Sequence, residues 1–584
     1  MTGTADISST MLSHAEAVAA VEEWLKANAP GRPLNAKELK QYRDDKFTSG
    51  WRISCCYQDV ELELDLLLDG SFPYSLARVA VATPLPFPSY PHVEEDGMLC
   101  LVSGLAEPNP LNPVGIVQNV LAWAGAVLEA GISGRNHDDF RSEFLSYWNP
   151  GVAKVPVRSI LEPCEPSRMI RYWAGEQFYF VGENENAVRR WFQSSGLNIS
   201  SAPLPTAMLL WLEKAPLPSE YVRTAADIWD LIEGSVPERL NWLKRSALEE
   251  RRVLVVLGAQ TQNGICLSAA RFSPPTIKGF RKGRAPLELL DRPYFEKISI
   301  TRMAVYRADP YWVHGRDRNG DLPALNSARV AMLGCGSLGG SIVHQLAQAG
   351  VGELLLVDGD ALTWANTGRH QLGAEWVGHN KAVALKTSLQ RAFPSIRVAE
   401  RAIPWQQIED VSEILNSCDL IISTIGSWGP EAELNAWHVA TGRKRPIIYG
   451  WTEPHAVAAQ AVHIGNEGAC FACGVSEFGR PKLCVSIWPA ERERVQEPAC
   501  GAYFQPYGPI ALSACVSLVA GLAVDTLLEK SSSGCLHIWA APTADIKAAG
   551  GNTSPEWSSM AGVETGGLFR SLSWSRDDRC SFCS

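Results

Sequence analysis

Six cysteines and one glycine-rich loop concentrate the chemistry of this sequence. Two Cys-x-x-Cys pairs occur, Cys470 and Cys473 in GACFACG and Cys580 and Cys583 in DRCSFCS. That spacing belongs to metal binding or to thiol redox chemistry. Two further cysteines stand in polar, Gly/Pro-rich surroundings, Cys100 in YPHVEEDGMLCL and Cys500 in EPACGAYFQPYGP. A cysteine that follows an irregular loop and precedes a helix can be accessible, as an acyl-carrying nucleophile must be. The remaining nine of the 15 (Cys55, Cys56, Cys164, Cys266, Cys335, Cys418, Cys484, Cys515 and Cys535) lie mostly in apolar or strand-like contexts and read as small buried hydrophobes. The odd total and the spacings do not suggest a disulfide framework, which suits a reducing compartment.

The glycine loop is Gly334-Cys335-Gly336-Ser337-Leu338-Gly339, placed between the strand-like ARVAML and the helical SLGGSIVHQLAQAG. Such a loop lets backbone amides at a helix N-terminus approach a phosphate. Asp358 ends the next strand, where a carboxylate can accept from a ribose hydroxyl. To this point a dehydrogenase would also fit. The stretch LVDGDALTWANTGRH then supplies Asp358, Asp360, Asn366 and Arg369, and VGHNKA supplies Lys381. This ordered set suits a triphosphate, because a lysine and an arginine neutralise the charge that builds as pyrophosphate departs.

These residues need three regions to position them in a chain of 584 residues, 46% hydrophobic and 20% charged. That composition excludes a disordered or fibrous protein. Residues 1–160 read as an α+β domain: a helix over HAEAVAAVEEWLKA, strands in WRISCCYQ, VELELDLLL and ARVAVAT, a proline-dense loop, and a helix over GIVQNVLAWAGAVLEA. Residues 161–300 read as an α/β linker region without a motif. Residues 301–584 alternate strands and helices, as a doubly wound α/β sheet does. The net charge of −10 gives no support for a nucleic-acid partner. No basic segment followed by an apolar core opens the chain, and the apolar run Ile510–Val524 is shorter than the ~20 residues a bilayer requires. A cytoplasmic protein without a membrane partner is expected.

The run from the glycine loop through VDGD and NTGR to GHNK resembles the adenylating domain shared by ubiquitin-activating enzymes and the ThiF/MoeB-type sulfur-carrier adenylyltransferases. The resemblance covers residues ~325–584 and implies ATP and Mg2+, with Gly334, Gly336 and Gly339 in the phosphate loop. It also implies Asp358 on the ribose and Asn366, Arg369 and Lys381 on the phosphates. Gly426 falls where that family carries an aspartate for the metal, so either another carboxylate, such as Asp360, supports it or adenylation is altered. The family pairs as a homodimer and takes an arginine from its partner, with Arg307 and Arg316 as candidates here. It also implies a structural Zn2+ on Cys470, Cys473, Cys580 and Cys583, clamping the C-terminal tail to the domain. A thioester cysteine on a crossover segment is Cys500 by position, with Cys484 second.

The N-terminal domain resembles ubiquitin-conjugating enzymes. Pro91 precedes Cys100 by nine positions, and Gly97 and Leu101 fall in the family's places. Tyr90 and His92 depart from the family's histidine and asparagine, so His92 is the candidate for the asparagine's oxyanion role. A conjugating-type domain ahead of an activating-type domain resembles the fusion enzymes of CBASS anti-phage operons. The implied reaction adenylates the C-terminal tail of a protein partner, a cGAS-like nucleotidyltransferase. It then carries the acyl group on Cys500 and Cys100 and delivers it to an amine on a target protein. The alternatives are a sulfur-carrier adenylyltransferase of cofactor synthesis, for which Cys100 has no use, and a scaffold with an inactive adenylation site.

Overall fold

Ser13 and Glu16 cap the first helix, α1 (His14–Asn28), reciprocally: the Ser13 amide donates to Glu16 Oε2 at 2.8 Å and the Glu16 amide to Ser13 Oγ at 3.3 Å. Its Ala17, Val21 and Leu25 recur at helical spacing and are buried. The computed structural model to which these elements belong describes residues 12–42, 46–83, 85, 87–101, 107–250, 252–281, 283–498, 503–560 and 562–583. Strands β1 (Arg32–Pro33), β2 (Phe47–Tyr57), β3 (Val60–Asp69) and β4 (Arg78–Val81) form an antiparallel meander in that order. In β3 the period-2 pattern sends Leu62, Leu64, Leu66 and Leu68 into the core under α1 and α2 (Pro113–Ile132). Leu67 joins a smaller cluster with Tyr42 and Met98. Asp65 is a buried charge with its partners supplied: it accepts from Arg52 Nε at 2.7 Å, Arg52 Nη2 at 2.8 Å and the Tyr42 hydroxyl at 2.7 Å.

The stretch expected as a linker region is a closed barrel. Strands β5 (Val157–Ser159), β6 (Arg168–Ala174), β7 (Tyr179–Gly182), β8 (Thr206–Leu212), β9 (Val253–Thr261), β10 (Gly264–Phe272) and β11 (Thr301–Arg307) pair in the order β10-β11-β5-β7-β6-β8-β9 and close through β9–β10. The pairs β11–β5, β5–β7 and β8–β9 are parallel. Closure leaves no strand edge to solvent. Alternation along β8 fills two cores, with Ala207 and Leu209 in the barrel interior and Met208 and Leu210 outside, among the residues under the helix Ala225–Ser235. Two short helices after α2, called here α3 (Asp139–Ser142) and α4 (Phe144–Trp148), pack into that same outer cluster.

The last region holds a sheet in the order β14-β13-β12-β15-β16-β17-β18-β19, with β12 (Arg329–Leu333), β13 (Glu353–Val357), β14 (Arg397–Arg401), β15 (Leu420–Ser423) and β16 (Ile447–Thr452) parallel. The strands β17 (Ala458–Ile464), β18 (Cys535–Ala540) and β19 (Leu568–Ser573) extend it antiparallel. The parallel strands are covered on both faces, which explains their nearly unbroken apolar sequences RVAML, ELLLV and LIIS. Two helices among the described residues, α2 and Pro509–Leu527, are long and apolar enough to cross a membrane by length and composition. Both are packed into cores here, the second with Leu512, Val516 and Val519 against the sheet.

Of the nine cysteines expected to be buried, Cys266, Cys335, Cys418 and Cys515 are, whereas Cys55, Cys164, Cys484 and Cys535 are half-buried and Cys56 is exposed. Near the end of β2 the alternation turns Cys56 outward. Removing Asp65 would leave Arg52 and Tyr42 facing an apolar interior. Asp65→Ala is expected to cost about 2 kcal/mol, discounted for the partly exposed Arg52. The double change Asp65→Leu with Arg52→Met should cost less, as read by thermal unfolding followed through tryptophan fluorescence.

Candidate active site

The first site forms where the carboxyl ends of β12, β13 and β15 meet. Gly334 has φ +90°, and a Cβ there would press on the Thr424 carbonyl at 3.0 Å. Gly339 approaches more closely still: a Cβ would lie 2.0 Å from the Gly334 carbonyl oxygen. The loop is therefore folded on itself before the helix Ser337–Ala349 begins. Asp358 fastens it from below, accepting from the Cys335 amide at 2.7 Å and from the Asp360 amide at 2.8 Å. His370 supports the other side. Its Nδ1 accepts from the Leu372 amide at 3.0 Å, so the proton sits on Nε2, which donates to the Cys335 carbonyl at 2.8 Å. Burial lowers the His370 pKa and keeps the ring neutral.

Gly334, Gly336, Asp358, Asp360 and Lys381 line one cavity of about 330 Å3, with Val357, Ile403, Pro404 and Ile425 as its apolar wall. Lys381 Nζ lies 3.0 Å from Asp360 Oδ2. Asn366 and Arg369 sit on the neighbouring turn and are not in the lining. Asn366 Oδ1 accepts from the amide and hydroxyl of Thr363, both at 3.0 Å. Arg369 Nη1 donates to the Gln505 carbonyl at 3.1 Å, with the guanidinium 5.0 Å from the centre of the Tyr507 ring. Sequence reasoning missed Glu431. Its carboxyl accepts from Ser423 Oγ at 3.1 Å and from the Gly426 amide at 3.3 Å, and burial pushes its pKa up to about 7. The carboxyl comes from a following helix, Trp428–Ala440, so strand-end alignment could not find it.

Arg307 is committed elsewhere. With a side chain only 5% exposed, it pairs with Asp309 at 2.8 Å and Asp317 at 2.6 Å, which removes it as a group that could reach into another subunit. Arg316 lies over Trp312, 5.6 Å from its centroid. Cys500 lies outside the described residues. The segment before it is anchored by buried Glu453, which accepts from the Val485 and Ser486 amides and from Ser486 Oγ, each at 2.7 Å. Cys484 donates to the Pro481 carbonyl at 3.4 Å, and burial pushes its thiol up to about 12, which keeps it protonated.

The second site surrounds Cys100, which is exposed. Val93 and Leu99 pair antiparallel across the turn Glu94–Gly97, in which the Gly97 amide donates to the Glu94 carbonyl at 2.9 Å. One pair further out, the Cys100 amide donates to the His92 carbonyl at 2.9 Å. The hairpin-like turn in HVEEDGMLC thus sets His92 opposite Cys100. The Asp-Gly in that segment is the signal from which the pairing could be read. His92 Nε2 lies 3.0 Å from Asp139 Oδ2 and Nδ1 lies 3.3 Å from Glu143 Oε2. Contact with the Cys100 thiol, then with Asp139 and Glu143, pushes the His92 pKa up to about 9 against the opposing effect of burial. A cavity of about 520 Å3 opens beside these residues.

The four Cys-x-x-Cys thiols converge. All four sulfurs lie within 4.8 Å of one another, with Cys470–Cys473 at 3.8 Å, Cys470–Cys580 at 3.5 Å and Cys473–Cys583 at 3.4 Å. A tetrahedral ion with bonds of ~2.3 Å needs edges of about 3.8 Å, so the set fits a metal ion. Outer contacts orient the ligands: Trp574 Nε1 donates to the Cys470 carbonyl at 2.9 Å, and Lys482 bridges the Cys473 carbonyl (2.8 Å) and Asp577 (2.6 Å).

Two family models match the chain, the ThiF family over residues 317–546 and prokaryotic E2 family B over residues 22–154. The chain is a fusion of these two kinds of domain, E2-like first and ThiF-type second, with the barrel between them. Similar curated proteins carry the name ATP-dependent ubiquitin transferase-like protein Cap2. The one from Pseudomonas aeruginosa is 25% identical over 453 residues, spanning 73% of this chain and 79% of that protein. The one from Enterobacter hormaechei subsp. hoffmannii is 31% identical over 224 residues, 35% of this chain and 36% of that protein. Among solved structures, E. coli MccB with ATP aligns at 17% identity over 45% of this chain and 69% of that one, with a TM-score of 0.32.

The glycine-loop geometry yields a contrast. Gly339→Ala must force the loop away from Gly334, and is expected to abolish binding of a fluorescent ATP analogue while the circular dichroism spectrum stays native. Gly336→Ala, whose Cβ would meet nothing within 4 Å, should weaken binding far less.

Proposed function

We propose that the chain is an ATP-dependent conjugating enzyme of the ubiquitin-like kind, acting on the C-terminal tail of a protein partner. The observation that carries this is the presence in one chain of both sites: a glycine-loop cavity furnished with Asp358 and Lys381, and an exposed Cys100 set opposite His92. In the first step the partner's C-terminal carboxylate attacks the α-phosphate of ATP. An acyl adenylate forms and pyrophosphate leaves. Asp358 holds the ribose, and the amides of the Gly334–Gly339 loop and Lys381 face the phosphates. Asn366 and Arg369 complete the phosphate set when the nucleotide is bound. Mg2+ accompanying ATP would neutralise phosphate charge, with Asp360, which lines the cavity, as the candidate to hold it.

Cys500 then attacks the adenylate and AMP leaves. The acyl group passes by thioester exchange to Cys100, and an amine on a target takes it as an amide. Each thioester keeps the carbonyl activated, dividing one difficult condensation into easier steps. Arg369 contacts Gln505 and Tyr507, beyond Cys500 in the chain, so the adenylation turn and the carrier segment are linked. The partner is a cGAS-like nucleotidyltransferase and the setting is cytoplasmic anti-phage defence of the CBASS kind, as the resemblance to those fusion enzymes implies; the relatives named ATP-dependent ubiquitin transferase-like protein Cap2 support the conjugating activity. The enzyme works as a homodimer. Zn2+ on Cys470, Cys473, Cys580 and Cys583 fastens the C-terminal tail to the domain. A sulfur-carrier adenylyltransferase would leave the E2-like domain and Cys100 without a task.

Incubation of the full chain with ATP, Mg2+ and the nucleotidyltransferase is expected to give a thiol-sensitive adduct on Cys100. Cys500→Ala should block it and Cys100→Ala should trap the acyl group on Cys500. Absence of a thiol-sensitive adduct on Cys100, with partner binding intact, overturns the relay. The metal assignment has its own readout. The purified chain should carry about one zinc by elemental analysis, and Cys580→Ser should lose it and lower the melting temperature.

A further inference from the structure

His92 occupies an unusual position for an ordinary surface histidine. Its backbone is left-handed, with φ +63°, a conformation that side-chain-bearing residues hold only where their surroundings impose it. Those surroundings are specific. The His92 amide donates to the Tyr147 hydroxyl at 2.7 Å, its carbonyl accepts from the Cys100 amide, and its ring contacts the Cys100 thiol, Asp139 and Glu143. Tyr147, Glu143 and Asp139 all come from one segment, residues 139–148, whose Phe140, Phe144, Tyr147 and Trp148 belong to the outer barrel core. Arg141 of that segment donates to the Ala215 carbonyl and pairs with Glu220. Trp148 Nε1 donates to the Met303 carbonyl at 3.2 Å.

We propose that His92 is the cationic donor that receives the departing Cys100 sulfur in acyl transfer, and that the segment 139–148, pinned to the barrel, holds its ring in place. This rests on the reading of Cys100 as an acyl carrier. The amine nitrogen attacks the thioester carbonyl, the C–N bond forms and the C–S bond breaks. The electron pair goes to Sγ, which is left as a thiolate hydrogen-bonded to the imidazolium, and the surplus proton on nitrogen goes to water. Asp139 and Glu143 are positioning residues, since they act through the ring. The barrel thereby acquires a role that neither family model assigns to it.

The charged groups facing the ring predict a pH dependence. Cys100, Asp139 and Glu143 touch it, Tyr147 binds its backbone, and Glu94 and Glu95 line the same cavity. In the free enzyme the imidazolium is present below about 9 and lost above it; acylation removes the Cys100 thiol, the largest cause of that shift, so the assistance to discharge is lost at a lower pH.

The test bypasses adenylation. The full chain is acylated with the benzyl thioester of acetylglycine, with loading of Cys100 read by peptide mass and Cys100→Ala as the blank. Discharge by hydroxylamine, which stays neutral over the pH range used, is corrected for the free thioester. His92→Asn keeps a residue tolerant of the left-handed backbone, and should slow discharge by about tenfold or more and remove the decline of the rate at alkaline pH. Glu143→Gln should move that decline to lower pH, a shift that a merely structural role would not produce. Melting temperatures confirm that both variants fold. Discharge of His92→Asn at the wild-type rate, or an unmoved profile in Glu143→Gln, overturns the proposal. Because loading here needs no ATP or partner, either result is separate from the fate of the ATP-driven relay.

Discussion

The burial of one indole ties the middle of this molecule together. Trp148 is 0% exposed, 5.4 Å from the Phe144 ring and 5.2 Å from that of Tyr221, with the Arg302 guanidinium 5.4 Å over its face. The apolar area removed from water is worth roughly 2–3 kcal/mol for such a side chain, and its N–H finds a carbonyl acceptor on β11. That anchor determines where the preceding two turns lie. Asp139 and Glu143 keep a third or more of their side-chain surface exposed, and exposed carboxylates ordinarily gain little from ion pairs. Here the entropy of holding them is met by the barrel core, so the ring of His92 finds two carboxylates already in place.

A comparable division of labour governs the ThiF-type domain. Parallel strands bring their carboxyl ends to one edge, and the glycine loop, Asp358 and Thr424 meet there because β12 lies between β13 and β15. The chain leaving that edge is tethered on both sides of position 500, by Glu453 before it and by Arg369 after it. The two tethers differ in kind. Glu453 is buried and fully satisfied, whereas Arg369 belongs to the turn beside the nucleotide cavity.

Much of this was legible in residue order, and the exceptions have physical causes. The meander and both long helices of the first domain follow from period-2 and period-3.6 burial, the strands of the last follow from short unbroken apolar runs set between helical ones, and the sheet positions Gly334, Gly336, Asp358, Asp360 and Lys381 together. The barrel was not legible. Several of its strands are paired to distant partners, and β5 and β11 meet in parallel although they are separated by most of the domain. The convergence of four thiols from two distant pairs was foreseen from spacing together with family resemblance. Local spacing alone could not foresee that Arg369 turns toward Gln505, or that Glu431 brings a carboxyl to Gly426. Those contacts depend on long-range packing. His92 was noticed as a departure from a motif, but the carboxylates that hold it lie 47 and 51 residues further along the chain.

A chain with so many thiols can run thioester chemistry only if most of them stay out of it, and burial supplies that selectivity. Desolvation pushes Cys266 and Cys418 up to about 11 and Cys515 and Cys484 up to about 12, and it raises Cys335, within the glycine loop, well above the ordinary thiol value. A thiol held protonated is neither a nucleophile nor a good acyl acceptor, so these positions are silent without any steric shield. Cys100 differs in surroundings more than in residue type. It is exposed, its backbone is fixed to His92, and a cationic ring rather than an apolar wall stands beside it. The cost of a charge in a low-dielectric interior therefore keeps the core cysteines protonated, and it does not bear on Cys100, which is exposed.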